Sequence, residues 1–109
     1  ALLRRSRPAL VNDILQHNNL TLSLGEMKVT YFDNEVKLGP KEFKLLTLLM
    51  ERPGHIFSRG KLLDLVWGHG VYVEERTVDV HILRLRQSFN SDASKYIQTV
   101  RGSGYRYSE

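Results

Sequence analysis

The segment EERTVDVHILRLRQSF, residues 74–89, concentrates the groups in this chain best suited to a polyanion. Arg76, Arg84 and Arg86 bring guanidinium groups, Thr77 a hydroxyl and Gln87 an amide, interleaved with Val80 and Leu83. Such groups hydrogen-bond phosphates and guanine edges, and small apolar side chains touch thymine methyls. Val78, Ile82, Leu85 and Phe89 recur every three or four residues, the apolar stripe of an amphipathic helix. Arg76, Val80, Leu83 and Gln87 then fall on the opposite side, with Thr77 and Arg84 on one flank and Asp79 and Arg86 on the other. An ordinary surface helix mixes charge signs outside. This one offers arginines, and the chemistry it implies is the reading of DNA. Asp79, acidic on that face, is expected to orient a neighbouring arginine or to accept from a cytosine amino group.

A helix of this kind must be held by other elements, and the rest of the chain signals them. Leu20, Leu22 and Leu24 alternate with polar residues, Val29 and Tyr31 continue the alternation, and Val36 and Leu38 return after a tight turn at Asp33-Asn34. Ile14-Leu15 adds an earlier strand, so the N-terminal half predicts a four-stranded antiparallel support sheet. A first helix starts at Pro40 and stops at Pro53-Gly54 after about Arg52; Phe43, Leu46, Leu49 and Met50 form its apolar face. His55 to Phe57 is a short extended piece. Ser58 caps a second helix, Arg59 to Trp67, which turns Leu62, Leu63 and Val66 inward and ends at Gly68. A loop over 68–75 enters the third helix. Strands at 96–100 and 105–107 flank the turn Arg101-Gly102-Ser103-Gly104, a glycine-rich hairpin. Three helices and a hairpin make an α/β (α+β) winged helix-turn-helix, with the third helix in the major groove and Arg101 at the wing's turn within reach of a minor groove.

Length and composition agree with this reading and exclude others. The chain has 109 residues, enough for one modest core, and 41% hydrophobic with 26% charged residues is a globular balance. The net charge of +4 favours a polyanionic partner without demanding one. The absence of cysteine rules out disulfides, cysteine-zinc sites and cysteine nucleophiles, and fits a reducing cytoplasm. No apolar run approaches a membrane span, and the basic start ALLRRSRPAL is no signal peptide. That start is expected to be the cut end of a longer protein, with residues 1–10 a linker remnant and 11–109 the domain. His17, His55, His69 and His81 lack close metal-ligand spacing, the Gly102-Ser103-Gly104 turn precedes no helix, and Ser58 has no paired base. No nucleophile, base and orienter can be assembled, so neither enzymatic activity nor a metal or cofactor is expected.

The segments GPKEFKLLTLLMERPGHIFSRGKLLDLVWG, VYVEERTVDVHILRLR and QTVRGSGYRYS together resemble the winged-helix output domain of OmpR/PhoB-family bacterial response regulators, nearest its phosphate-regulon branch. The resemblance covers nearly all of residues 10–108. It implies that Thr77, Val80 and Arg84 read bases in the major groove, with Arg76, His81 and Arg86 nearer phosphates. It further implies that Arg101 enters the minor groove, and that Trp67, Thr99 and Tyr105 contact the backbone. For Trp67, a mostly packed ring whose N–H reaches a phosphate is expected. The loop VWGHGVYVEE resembles the family's transactivation loop, which makes Gly68, Val71, Val73, Glu74 and Glu75 candidates for touching the sigma subunit of RNA polymerase. Direct-repeat sites, head-to-tail pairing of two copies on DNA and a missing receiver domain under a sensor histidine kinase follow from the same resemblance.

One position departs from it. Relatives usually carry arginine where this chain has Leu83, which the helical period places outward, unable to pair with phosphate. Two rivals use the same residues differently: a winged helix that binds only proteins, and a non-specific nucleic-acid binder. Salt-dependent binding to duplex separates the first from DNA reading, and competitor duplex separates the second.

Overall fold

The computed structural model describes residues 4–5, 14–17, 19–68, 73–89 and 93–108. An antiparallel sheet comes first. Its strands β1 (Arg4–Arg5), β2 (Ile14–His17), β3 (Leu20–Ser23), β4 (Lys28–Tyr31) and β5 (Asn34–Val36) pair in chain order. Four of them are those expected; β1, two residues within the stretch read as linker, adds to the edge of β2 through Arg4↔Gln16 and Arg5↔Leu15. Alternation sends Leu15, Leu20, Leu22 and Val29 inward and leaves Gln16 and Lys28 exposed.

The β4–β5 turn sits one residue earlier than expected. Phe32 and Asp33 both take left-handed backbone, with φ of 52° and 63°, and Tyr31 pairs with Asn34. Two positive φ values are what a tight hairpin needs to match strand twist. This register also pairs Val29 with Val36. A turn at Asp33-Asn34 would instead pair Val36 with Tyr31 and Leu38 with Val29, keeping the faces but shifting the partners by two.

Helix α1 (Pro40–Glu51) begins with proline in its first turn, where a missing N–H costs nothing. Leu45, Leu46, Leu49 and Met50 are fully buried along it. Ser58 caps α2 (Arg59–Trp67) as expected, its hydroxyl accepting from the Lys61 amide at 3.1 Å. Gly68 ends that helix with φ of 98°. Helix α3 (Arg76–Ser88) follows, and its Val78, Ile82 and Leu85 have no exposure at all. Each such burial stabilises by roughly 1.5–3 kcal/mol. A 3₁₀ turn (Ala93–Tyr96) then leads into the hairpin β6 (Ile97–Val100) and β7 (Gly104–Tyr107).

The hairpin is fastened at two places. Phe57 exchanges both backbone hydrogen bonds with Tyr105, at 2.8 and 2.9 Å, so the extended piece before α2 becomes a third short partner of the wing. Gly104 makes that approach possible: its φ is 139°, and a Cβ there would run into the Phe57 carbonyl. Buried His17 shares a 2.7 Å hydrogen bond with the Tyr107 hydroxyl, joining the N-terminal sheet to the last strand. One core therefore runs from sheet through helices to wing.

Candidate nucleic-acid interface

Helix α3 stands with its apolar stripe on the core and its other face open. Arg76, Val80, Leu83, Arg84 and Gln87 are exposed and Thr77 is half-buried. Leu83, about half exposed, has the outward position the helical period assigned to it. Arg76 pairs with Glu74 at 3.0 Å, but both side chains are more than three-quarters exposed. Such a pair contributes little and leaves the guanidinium available. Arg101 is exposed in the β6–β7 turn.

Between the start of α2, the start of α3 and the wing lies a groove of about 510 Å³, with Arg59, Asp79, Thr99 and Arg101 among its lining residues. Asp79 draws two of its neighbours together there. Arg59 Nη1 donates to Asp79 Oδ2 at 2.9 Å, and the Tyr105 hydroxyl donates to Asp79 Oδ1. The expectation that Asp79 orients an arginine is met, though by Arg59, twenty positions away, rather than by an arginine of its own helix. The Asp79 hydrogen bond and charge hold the Arg59 guanidinium above its already high ordinary pKa. Burial and then the bond to Asp79 push the Tyr105 phenol up to about 12.

Other expected contact residues are drawn into the protein's own bonding. Arg86 reaches back to the wing: Nε and Nη2 donate to the Ile97 carbonyl at 3.1 and 2.8 Å, and Nη2 also donates to Thr99 Oγ1 at 2.8 Å. Its guanidinium lies 5.7 Å from the Tyr105 ring centre. Tyr105 itself is buried apart from its hydroxyl's link to Asp79. His81 turns toward α1, where Nδ1 bonds Glu42 Oε2, and it meets the edge of the Trp67 ring at 5.0 Å. Trp67 is half-buried as expected, with Lys41 Nζ 5.6 Å over its ring.

The structure thus gathers Thr77, Val80, Arg84 and Arg76 on one open helix face, with Arg101 on the neighbouring hairpin turn. It places Arg86, His81 and Tyr105 in the layer that braces that face, and leaves Thr99, which accepts from Arg86, exposed on the wing. Of the loop residues, Gly68 closes α2, Val73 is half-buried, Glu74 and Glu75 are exposed, and Val71 lies outside the described residues. Sequence reasoning passed over Arg59 and Glu42. Each sits in the first turn of its helix, and no local pattern points either one at α3.

Residues 33–107 match the family model described as "Transcriptional regulatory protein, C terminal". The chain belongs to that family, as an OmpR/PhoB-type DNA-binding domain. It is 49% identical to the phosphate regulon transcriptional regulatory protein PhoB of Rhizobium meliloti, over 96% of this chain and 47% of that protein. It is 43% identical to PhoB of Escherichia coli strain K12, over 99% and 48%. The chain therefore spans about half the length of the curated relatives it matches. Among solved structures, the Klebsiella pneumoniae RstA DNA-binding domain, determined in complex with the RstA box, superposes with a TM-score of 0.78 at 30% identity, over 87% of this chain and 96% of that one. Family and fold are those of transcription regulators, not enzymes. No helix among the described residues is long and apolar enough to cross a membrane.

Proposed function

We propose that this domain binds specific double-stranded DNA sequences as the output module of a two-component response regulator and so controls transcription of phosphate-responsive genes in the cytoplasm. The observation that carries this reading is the open face of α3, where Val80 and Arg84 are exposed with half-buried Thr77 on the same side, and where the wing turn adds an exposed arginine. Arg84 pairs with a guanine edge, Val80 meets a thymine methyl, and Thr77 bonds a base or phosphate. Arg76 neutralises a phosphate once it leaves Glu74. Arg101 enters the minor groove. Trp67, Thr99, Tyr105, His81 and Arg86 act at or behind the phosphate backbone, holding the reading face at its angle.

A single domain of this size covers limited DNA surface, roughly 600–1,000 Å². Direct-repeat sites bound head to tail by two copies supply the remaining affinity. Glu74 and Glu75 stand exposed just ahead of the recognition helix, and with Gly68, Val71 and Val73 of the same loop they make a suitable contact for the polymerase sigma subunit. A receiver domain and its sensor histidine kinase control the whole. Residues 11–109 form the domain, with Arg4–Arg5 of the stretch leading into it already paired to the edge of its sheet.

Fluorescence anisotropy with a duplex selected from a random pool tests the reading. Binding should be specific against excess random duplex and should weaken steeply with salt. Arg84→Ala should cost roughly 1–3 kcal/mol and relax preference at one base pair. Salt-insensitive binding, or none, would overturn the reading in favour of a protein-interaction module.

A further inference from the structure

A carboxylate on a surface meant for phosphates is unfavourable unless it does something there, and Asp79 is such a group. It lies on α3 among Arg76, Val80 and Arg84, yet both its oxygens are engaged by other elements: Oδ2 by Arg59 at the start of α2, Oδ1 by the hydroxyl of Tyr105 on the wing. Seven positions along the same helix flank, two turns or about 10 Å away, Arg86 makes a second attachment to the wing. It reaches the Ile97 carbonyl, Thr99 and the Tyr105 ring.

Helix and hairpin are thus tied at two points along α3, one acidic and one basic. The Phe57 bridge holds the backbone of the same wing residue, Tyr105, one pair short of the turn, while the hairpin's base is held at Tyr107 by the Gly54 amide and His17. Those bonds fix the backbone of the strand; the tie at Asp79 adds a link from the Tyr105 side chain to α3, close to the turn that carries Arg101.

Resting on the DNA-binding reading above, we propose that Asp79 is a positioning residue: through Tyr105 and Arg59 it holds the wing at one angle to α3, so that the major-groove and minor-groove contacts are read at a single set spacing. Asp79 touches no base in this scheme. It acts on specificity through the distance between Arg84 and Arg101, and its charge is cancelled locally by Arg59. Loss of the tie leaves both arginines present but lets them bind sites in which the wing-side base pairs are displaced.

The test is a selection from a randomised duplex pool with the wild-type chain, Asp79→Ala, Tyr105→Phe and Asp79→Asn, followed by affinity measurements on the wild-type consensus and on duplexes with its wing-side base pairs shifted by one. The ratio of the two affinities is independent of how much of a variant is folded, so a merely structural defect does not move it. The wild type should select one spacing. Asp79→Ala and Tyr105→Phe should select a spread of spacings, with the ratio reduced by about fivefold, the worth of one hydrogen bond. Asp79→Asn keeps an oxygen for the Tyr105 hydroxyl and should hold the single spacing. An unchanged spacing and ratio in both Asp79→Ala and Tyr105→Phe would overturn the proposal while leaving DNA reading intact. Failure of the wild type to select any motif would instead overturn the reading on which it rests.

Discussion

Two acidic side chains brace helix α3 from different sides, and they do so under opposite physical conditions. Glu42, in the first turn of α1, bonds His81 where the two side chains are only 9% and 18% exposed. Asp79 bonds Arg59 where they are 36% and 46% exposed. The Glu42 pair sits at the positive end of the α1 dipole, beneath Gly39, whose missing Cβ leaves room for the carboxylate. It packs against Trp67, the last residue before the loop over 68–75. The Asp79 pair opens onto the groove beside the wing. Solvent weakens an exposed pair, whereas a buried one cannot lose a partner without stranding the other. The comparison therefore separates a brace that holds the fold from one that sets the geometry of reading.

Removing His81 is the severest way to test that separation. His81→Ala strands the Glu42 carboxylate and should cost about 3 kcal/mol of stability. Urea denaturation reads this as a lower midpoint at unchanged slope. A midpoint equal to wild type would mean that burial confers no special weight on the pair. Asp79→Ala should cost only about 1 kcal/mol, from the Tyr105 hydroxyl losing its acceptor; the exposed Arg59 pairing adds little. If Asp79→Ala proved the more destabilising of the two, the comparison would be inverted.

Tyr105 offers a finer probe of the same side. Its pKa, up at about 12 against an ordinary value of 10.0, means that the folded state favours the neutral phenol. The resulting stability is fully present below pH 10 and is lost as pH rises through 12. Thermal melts between pH 9 and 12 should show this decline, and Tyr105→Phe should remove it. A decline of equal size in the variant would assign the effect to other groups.

The smallest expected effect concerns Leu83, which takes part in neither brace. Leu83→Arg should tighten duplex binding and steepen the salt slope by about 0.9, one added phosphate contact. Slopes that coincide from low to moderate salt would mean that this position faces no phosphate.

How far these features could be read from sequence depended on their range. The α3 stripe, the Ser58 cap, the Gly68 stop and the outward Leu83 all appear where periodicity and capping chemistry put them. Even the tight β4–β5 turn was visible, and was misplaced by one residue because Asp and Asn are the commoner turn formers while register chose Phe32 and Asp33. The expectation that Asp79 orients an arginine was sound in chemistry and silent on which one. Arg59 and Glu42 stayed hidden because they meet α3 across 20 and 39 positions. The direction of Arg86 was equally hidden, since its flank of the helix suits a phosphate and a wing carbonyl alike.

The sequence by itself determined which segments become helices and strands, which face of each goes inward, and which groups the third helix holds up to a polyanion. Those are local properties, decided by side-chain pattern within a few residues. Only the tertiary structure decided the pairing of acids with their partners: Glu42 with His81, Asp79 with Arg59 and Tyr105, Arg86 with Ile97 and Thr99. Each of those choices depends on how helices and hairpin cross once the shared core is packed, and periodicity along one element carries no information about that crossing.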